Sequence, residues 1–272
     1  MNLLALTSVA ISAAKAAGTI ITDSRLVEKE VQHKTGGSSY ASQVFTEVDK
    51  ACEEAILSYL RPTCEGDNLA LITEETADDG SRLTKDYFWC VDPLDGTLAY
   101  INGYAGYAVS IALVAQDGSP VIGVVYDPSR DVVYHAIKGK GVYKNSEPWH
   151  IVNTNAHFTY VTDRPLATTP HAAQIKAFLS EQLSMTGTTR LEEMSGAGAV
   201  LNAIRVLENG PACMVKLPKA EQGGGSLWDY AATACIYHEL GLKATKYSGG
   251  PLDLNRADST YMNHEGVCFV NL

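Results

Sequence analysis

The chain has 272 residues, with 21 Lys and Arg against 31 Asp and Glu and a formal charge of -10 at pH 7. A 46% hydrophobic share with 19% charged residues is that of a folded globular protein and excludes intrinsic disorder. The acidic balance excludes a sequence-independent grip on a nucleic-acid polymer, no stretch approaches ~20 consecutive apolar residues for a bilayer span, and the length allows one large domain or two modest ones.

Leu3, Leu6, Ala10, Ala13, Ala14 and Ala17 recur near helical spacing and predict an amphipathic first helix, with Gly18 as its stop. The start of the chain lacks a basic n-region, which argues against a signal peptide. The polar stretch His33-Lys34-Thr35-Gly36-Gly37-Ser38-Ser39 has no apolar anchor. It predicts a mobile loop, with Lys34 placed to reach inward if the loop closes over a substrate. A second helix is expected over 49–60. Apolar and aromatic runs at 87–91, 108–115, 121–126 and 132–137 are separated by Asp117-Gly118, Asp127-Pro128 and residues 139–141. Such even spacing with turn residues marks an antiparallel meander.

Beyond a soft boundary near 145–148 the pattern alternates. Strands are expected at 158–161, 213–217 and 266–270, and helices at 170–183, 195–207 and 226–240. Pro170 is placed to start one helix, while Gly210-Pro211 and Gly241 are placed to stop the others. This divides the chain into an N-terminal α+β half, 1–147, and a C-terminal α/β half, 148–272, of a layered α+β protein. The six scattered cysteines form no C-x-x-C and read as reduced thiols of a cytoplasmic protein, not as a zinc site.

The densest constellation is Asp92-Pro93-Leu94-Asp95-Gly96-Thr97, directly after the strand at 87–91. A buried strand delivers Asp92 to a rigid place, Pro93 is expected to end that strand, and Gly96 permits a backbone other residues resist. Two carboxylates three residues apart, with the Leu94 carbonyl between them, form an array of hard oxygens suited to Mg²⁺. The same spacing fits an Asp-rich turn with capping carboxylates. Backbone N–H groups at Gly96 and Thr97 are placed to meet an anion if a helical turn starts there. Glu74-Glu75 follow the apolar run 69–72 and repel, so each needs a cation or water. Alone, that pair reads as surface acids, as do Asp78 and Asp79.

Thr46-Glu47-Val48-Asp49 and Ser226-Leu227-Trp228-Asp229 both match the Ser/Thr-x-x-acid capping box. Gly223-Gly224-Gly225 before the second leaves little bulk near whatever lies opposite. There is no G-x-x-x-x-G-K-[ST], no H-E-x-x-H and no G-x-S-x-G, and Gly196-Ala197-Gly198 is not completed to G-x-G-x-x-G. The seven histidines form no short-spaced ligand pair, and no Ser/Cys–His pairing favours a covalent hydrolase.

Together these segments resemble the inositol monophosphatase superfamily. The resemblance is carried by Trp89-Cys90-Val91-Asp92-Pro93-Leu94-Asp95-Gly96-Thr97, whose D-P-[IL]-D-G-T core is highly specific. Thr46 to Asp49, Glu74-Glu75 and Trp228-Asp229-Tyr230-Ala231-Ala232 stand in the family's order, so the similarity covers essentially the whole chain. The resemblance implies an α-β-α-β-α layered sandwich of the inositol monophosphatase / fructose-1,6-bisphosphatase type. It implies Mg²⁺-dependent, Li⁺-sensitive hydrolysis of a small phosphate monoester, with two or three Mg²⁺ per site. Glu74, Asp92 and the Leu94 carbonyl would hold the first ion, and Asp92, Asp95 and Asp229 the second. Asp49 with Glu74 would lie near a weaker third ion, and Thr97 with Asp49 would orient the attacking water. Gly96, Thr97, Ser195 and Gly196, the last two at a helix N-terminus, are the implied substrate contacts. The partner is a small phosphorylated metabolite, with neither nucleic acid nor membrane involved; a homodimer is compatible with the family.

Two branches compete for the substrate. In 3′(2′),5′-bisphosphate nucleotidases of the CysQ type, a basic residue near the position of Lys216 meets the retained phosphate. In inositol monophosphatases an acidic residue there accepts hydroxyl hydrogen bonds. Lys216 favours a substrate with a second anion, although a strand-end lysine that snorkels fits the same position. Leu98 departs from the Lys common after D-G-T in the CysQ type. Asn102-Gly103-Tyr104-Ala105-Gly106-Tyr107 is closer to the monophosphatase style. A reading of another class, a non-catalytic phosphometabolite binder, is opposed by the complete set of acids.

Overall fold

The computed structural model describes residues 1–32, 38–169, 171–223 and 225–272, with backbone alone over 26–32 and 38–46. Two long helices, α1 (Leu3–Gln32) and α2 (Ser38–Asp67), open the chain. Then come β1 (Ala70–Thr73), β2 (Tyr87–Asp95), the short helix α3 (Thr97–Ile101) and β3 (Ala108–Ala115). β4 (Pro120–Asp127), β5 (Val132–Ile137), β6 (Gly141–Lys144) and β7 (Glu147–Pro148) complete a seven-stranded sheet whose order is the chain order. β1 lies parallel to β2 and the rest is an antiparallel meander.

The second half runs β8 (Phe158–Thr162), α4 (Ala172–Thr186), β9 (Leu191–Ser195), α5 (Ala199–Glu208) and β10 (Ala212–Lys216). It ends with α6 (Leu227–Glu239), β11 (Lys243–Thr245) and β12 (Val267–Asn271). The second sheet is ordered β11-β12-β10-β8-β9, with β10, β8 and β9 mutually parallel.

Side-chain alternation builds the layers. On β3, Val109, Ile111 and Leu113 join the core under α1 and α2, while Ala108, Ala112 and Val114 join a central core with α5 and α6. On β10, Ala212 and Met214 face that central core, and Cys213 and Val215 turn to an outer core with Ile175 and Leu179 of α4. The result is α1/α2, sheet, α5/α6, sheet, α4: the α-β-α-β-α sandwich. Strands buried on both faces read as continuous apolar runs instead of alternating ones, which is why the meander is visible in the sequence.

Several expectations are corrected. α1 does not stop at Gly18 but runs to Gln32. Gly18 is needed for contact: a Cβ there would lie 2.1 Å from the Tyr126 ring. Residues Leu3–Arg25 of α1 are long and apolar enough to cross a membrane, yet Leu6, Ala10, Ala13, Ala14, Ala17 and Ile21 are buried in the protein's own core. α2 begins at Ser38 and continues past Leu60 through Pro62, so Thr46 to Asp49 lie inside it and not at its N-terminus. Pro93 does not end β2, which bulges and continues to Asp95. Ser195 closes β9 instead of opening a helix. Residues 33–37 of the polar loop, with Lys34, and Pro170 and Gly224 lie outside the described residues; Ser38 and Ser39 open α2.

Candidate active site

The parallel pair β1 and β2 bring their C-terminal ends to one edge. Beyond β1, the Glu74 N–H donates to the Val91 carbonyl at 3.1 Å and extends the ladder by one residue. In β2, Asp92 lies opposite Ser110 and Asp95 opposite Ala108, so Pro93-Leu94 carry a β-bulge. The Leu94 N–H donates to Asp92 Oδ1 at 3.0 Å, and the Thr97 hydroxyl lies 3.5 Å from the Leu94 carbonyl. One oxygen each from Asp92, Asp95 and Asp229 lies within 4.8 Å of the other two. Gly96 starts α3 in the left-handed region, φ 85°, and a Cβ there would stand 2.4 Å from the Gly106 carbonyl oxygen.

Two helix N-termini hold these acids in place. Asp95 Oδ1 accepts from Ala199 N–H at 3.1 Å and Oδ2 from Val200 N–H at 3.0 Å, so it caps α5 across 104 residues of sequence. A Cβ on Gly198 would sit 2.2 Å from Asp95 Oδ2. The Ser226–Asp229 capping box is formed, with Asp229 Oδ2 accepting from Ser226 N–H at 2.6 Å.

Among the described residues the cluster is short of positive charge. Burial foremost, then Glu74, Asp95 and Asp229, push the Asp92 carboxyl well above the ordinary range. Burial and then Asp229 do the same to Asp95, against the Val200 N–H and Lys216. Burial raises Asp229, opposed chiefly by Lys216. Glu74 is exposed at the surface, and the protein packed around its carboxyl pushes it up to about 7, followed by Asp229 and Glu75, against a hydrogen bond with Asp92. Asp49, buried within α2, is pushed up to about 8 by burial, then by Glu75 and Glu74.

Lys216 ends β10, with Nζ 2.8 Å from Asp163 Oδ2 and 5.8 Å from the Tyr230 ring centre. Asp163 Oδ1 accepts from Asn202 Nδ2 at 2.9 Å. Lys216 borders a cavity of about 600 Å³ whose lining includes Arg164 and Lys219, the acids Asp163 and Glu221, and Tyr160 and Val215; Asp92, Asp95 and Asp229 lie outside that lining. Ser195 and Gly196 are exposed, and Ser195 offers its carbonyl to Arg205 at 3.2 Å. They are not at the helix N-terminus: Gly198 caps α5, whose first amides belong to Asp95. Sequence reasoning missed Asp163, Asn202 and Gly198. Asp163 had a usable signal, an acid directly after a buried strand, as Glu74 follows β1.

The family model described as "Inositol monophosphatase family" matches residues 2–268. The chain belongs to the inositol monophosphatase family. It is similar to "Inositol monophosphatase 2" of Solanum lycopersicum, 33% identical over 269 residues that make up 97% of this chain and 96% of that one. Its fold is similar to that of CysQ from Bacteroides thetaiotaomicron, with TM-score 0.77, 25% identity and 98% and 97% of the two chains covered. It is likewise similar to inositol monophosphatase II from Staphylococcus aureus MSSA476, with TM-score 0.71, 23% identity and 98% and 91% covered.

As a member of the inositol monophosphatase family the protein is a metal-dependent phosphoric monoester hydrolase of small phosphorylated metabolites. The donor set fits a hard divalent ion. Asp92 and Asp95 are buried, Asp229 is half-buried, all three offer only oxygen, and all are held above their ordinary pKa in a cluster short of cations.

Proposed function

We propose that this phosphatase uses Mg²⁺ and prefers 3′(2′),5′-bisphosphate nucleotides, converting adenosine 3′,5′-bisphosphate to AMP and phosphate. The observation that carries the reading is Lys216, which lines the cavity and favours the ionised forms of Asp95 and Asp229, with Arg164 and Lys219 further along the lining. A second anion on the substrate meets these cations, and an apolar body meets Tyr160 and Val215. A cavity of about 600 Å³ is roomy for a cyclitol and falls within the range of sites for larger ligands, roughly 300–1,000 Å³.

In this reading Glu74, Asp92 and the Leu94 carbonyl hold one ion, Asp92, Asp95 and Asp229 a second, and Asp49 with Glu74 a weaker third. A bound divalent ion lowers the pKa of its water and offsets phosphate charge. The chain's own groups do the rest. Asp49 and the Thr97 hydroxyl orient the attacking water, and Gly96 and Thr97 offer N–H groups to the phosphate. Ser195 and Gly196 contact the sugar, and Lys216 takes the retained phosphate. Li⁺ inhibition, a homodimeric state and a cytoplasmic setting belong to the same proposal. Inositol 1-phosphate is the second reading, favoured by Leu98 in place of a lysine.

A phosphate-release panel tests this, comparing adenosine 3′,5′-bisphosphate, inositol 1-phosphate and fructose 1,6-bisphosphate with Mg²⁺, EDTA or Li⁺. Asp92→Asn, which keeps an oxygen for the Leu94 N–H, is expected to keep the fold and lose turnover by ~100-fold or more, as removal of a ligand in a charge-stabilising site does. Lys216→Glu is expected to lower kcat/KM for the bisphosphate ~30-fold more than for inositol 1-phosphate, the scale of a lost charge pair. Equal losses on both substrates would overturn the substrate assignment. Release that persists in EDTA would overturn the metal roles.

A further inference from the structure

We infer that Asp163, anchored by Asn202, is a positioning residue that keeps the Lys216 ammonium off Asp95 and Asp229, so that those carboxylates stay available to divalent ions. The inference rests on the metal reading of the cluster given above.

The Lys216 side chain is only 20% exposed and lies in the field of both acids, whose ionised forms it favours. Its ammonium is a compact charge on a flexible four-carbon stem. Left to itself, such a group would settle among the clustered carboxylates and take the place a metal ion needs. Asp163 opposes this by holding Nζ at 2.8 Å, on the side where the buried Tyr230 also meets the ammonium. Asp163 is 43% exposed, and an exposed acid on a mobile side chain makes a weak tether. Asn202 removes that weakness. It is 0% exposed, and its Nδ2 donates to Asp163 Oδ1 at 2.9 Å and to the Ala197 carbonyl at 3.0 Å.

Asn202 sits on α5, whose first amides hold Asp95. One rigid helix therefore fixes both a carboxylate of the cluster and the anchor of the competing cation. Among the described residues the Asn202 Oδ1 has no hydrogen-bond partner. An unmet buried acceptor costs stability that an apolar side chain of similar shape would avoid, so the hydrogen bonds Asn202 does make are those of its Nδ2 donor.

The test is isothermal titration of Mg²⁺ alone into the metal-stripped full chain. Wild type is compared with Asp163→Asn, Lys216→Met, the double variant and Asn202→Ala, each checked by thermal unfolding. Asp163→Asn is expected to weaken Mg²⁺ binding by ~5-fold or more, the scale of coupling between contacting residues. Adding Lys216→Met should restore wild-type affinity, and Lys216→Met alone should change it less than it does in the Asp163→Asn background. Asn202→Ala alters no charge and should move affinity in the same direction as Asp163→Asn. Additive effects of Asp163→Asn and Lys216→Met would show that charge alone matters and would overturn the tether. Mg²⁺ binding that is absent in wild type, or unchanged in Asp92→Asn, is a different failure: it removes the metal reading and the tether with it.

Discussion

A carboxylate has about four lone-pair positions, so a residue that caps a helix is still able to face a cation. Asp229 uses Oδ2 in its capping box and still lies in the three-acid cluster. The sequence offers capping and ligation as alternatives for this motif; the structure forms the cap and also places Asp229 among the clustered acids. Asp95 carries the point further, because its two oxygens hold the first amides of a helix that begins 104 residues later. Gly196-Ala197-Gly198 was visible as a glycine pattern, but the reason for Gly198 lies in a contact that no local reading supplies. A methyl group there would stand 2.2 Å from Asp95 Oδ2. Gly198→Ala is therefore expected to cost about 2–3 kcal/mol, in the class of strained close contacts, and to lower phosphate release by displacing Asp95. Denaturant unfolding and the phosphate assay check both parts; an unchanged midpoint with unchanged turnover would remove the significance given to this contact.

Elements buried on two faces were the most legible and elements at edges the least. The runs at 108–115 and 121–126 coincide closely with β3 and β4 because both faces of each strand are covered. β9, with the sequence LEEMS, was missed because it is the edge strand of its sheet and stays largely wet. Helix periodicity marked α1, but its end was misplaced because a glycine was weighed as a stop when tertiary packing decided the matter. At Gly18 two effects compete. Replacing it by Ala gains about 1 kcal/mol of helix propensity. The added methyl meets Tyr126, whose ring is held in the core and whose hydroxyl donates to Asp131 at 2.9 Å. Overpacking of that kind costs about 1–3 kcal/mol. Gly18→Ala is expected to lower stability by about 1 kcal/mol net, measured as a shift in urea midpoint at constant m. Stabilisation would mean that the Tyr126 ring moves aside freely and that α1 does not depend on this approach.

At the scale of the molecule, each sheet sends the C-terminal ends of parallel strands toward the site. Glu74 follows β1, Asp92 and Asp95 end β2, Asp163 follows β8 and Lys216 ends β10, while the N-termini of α5 and α6 supply amides. The D-P-L-D-G-T stretch was legible because its clustered acids are close in sequence. Asp163 left only the local signal of an acid after a buried strand and Asn202 left none, because the hydrogen bond that joins them spans 39 residues. Gathering acids this way has a cost that depends on pH. Asp49 is moved from 3.8 to about 8 and Glu74 from 4.5 to about 7. A carboxyl whose folded pKa lies above its unfolded value adds stability below the unfolded pKa and loses it as pH rises through the folded one. The metal-free protein is therefore expected to lose stability between about pH 4 and pH 8, with Tm falling on the order of 5–10 °C from pH 5 to pH 8. In the proposed reading divalent ions would replace those protons, so stabilisation by Mg²⁺ is expected to grow with pH across the same window. Thermal unfolding at pH 5, 6, 7 and 8, in EDTA and in Mg²⁺, reads both slopes. Tm in EDTA that rises toward pH 8, or an increment from Mg²⁺ equal at pH 5 and pH 8, would mean that these carboxyls do not meet as unpaired charges in one pocket.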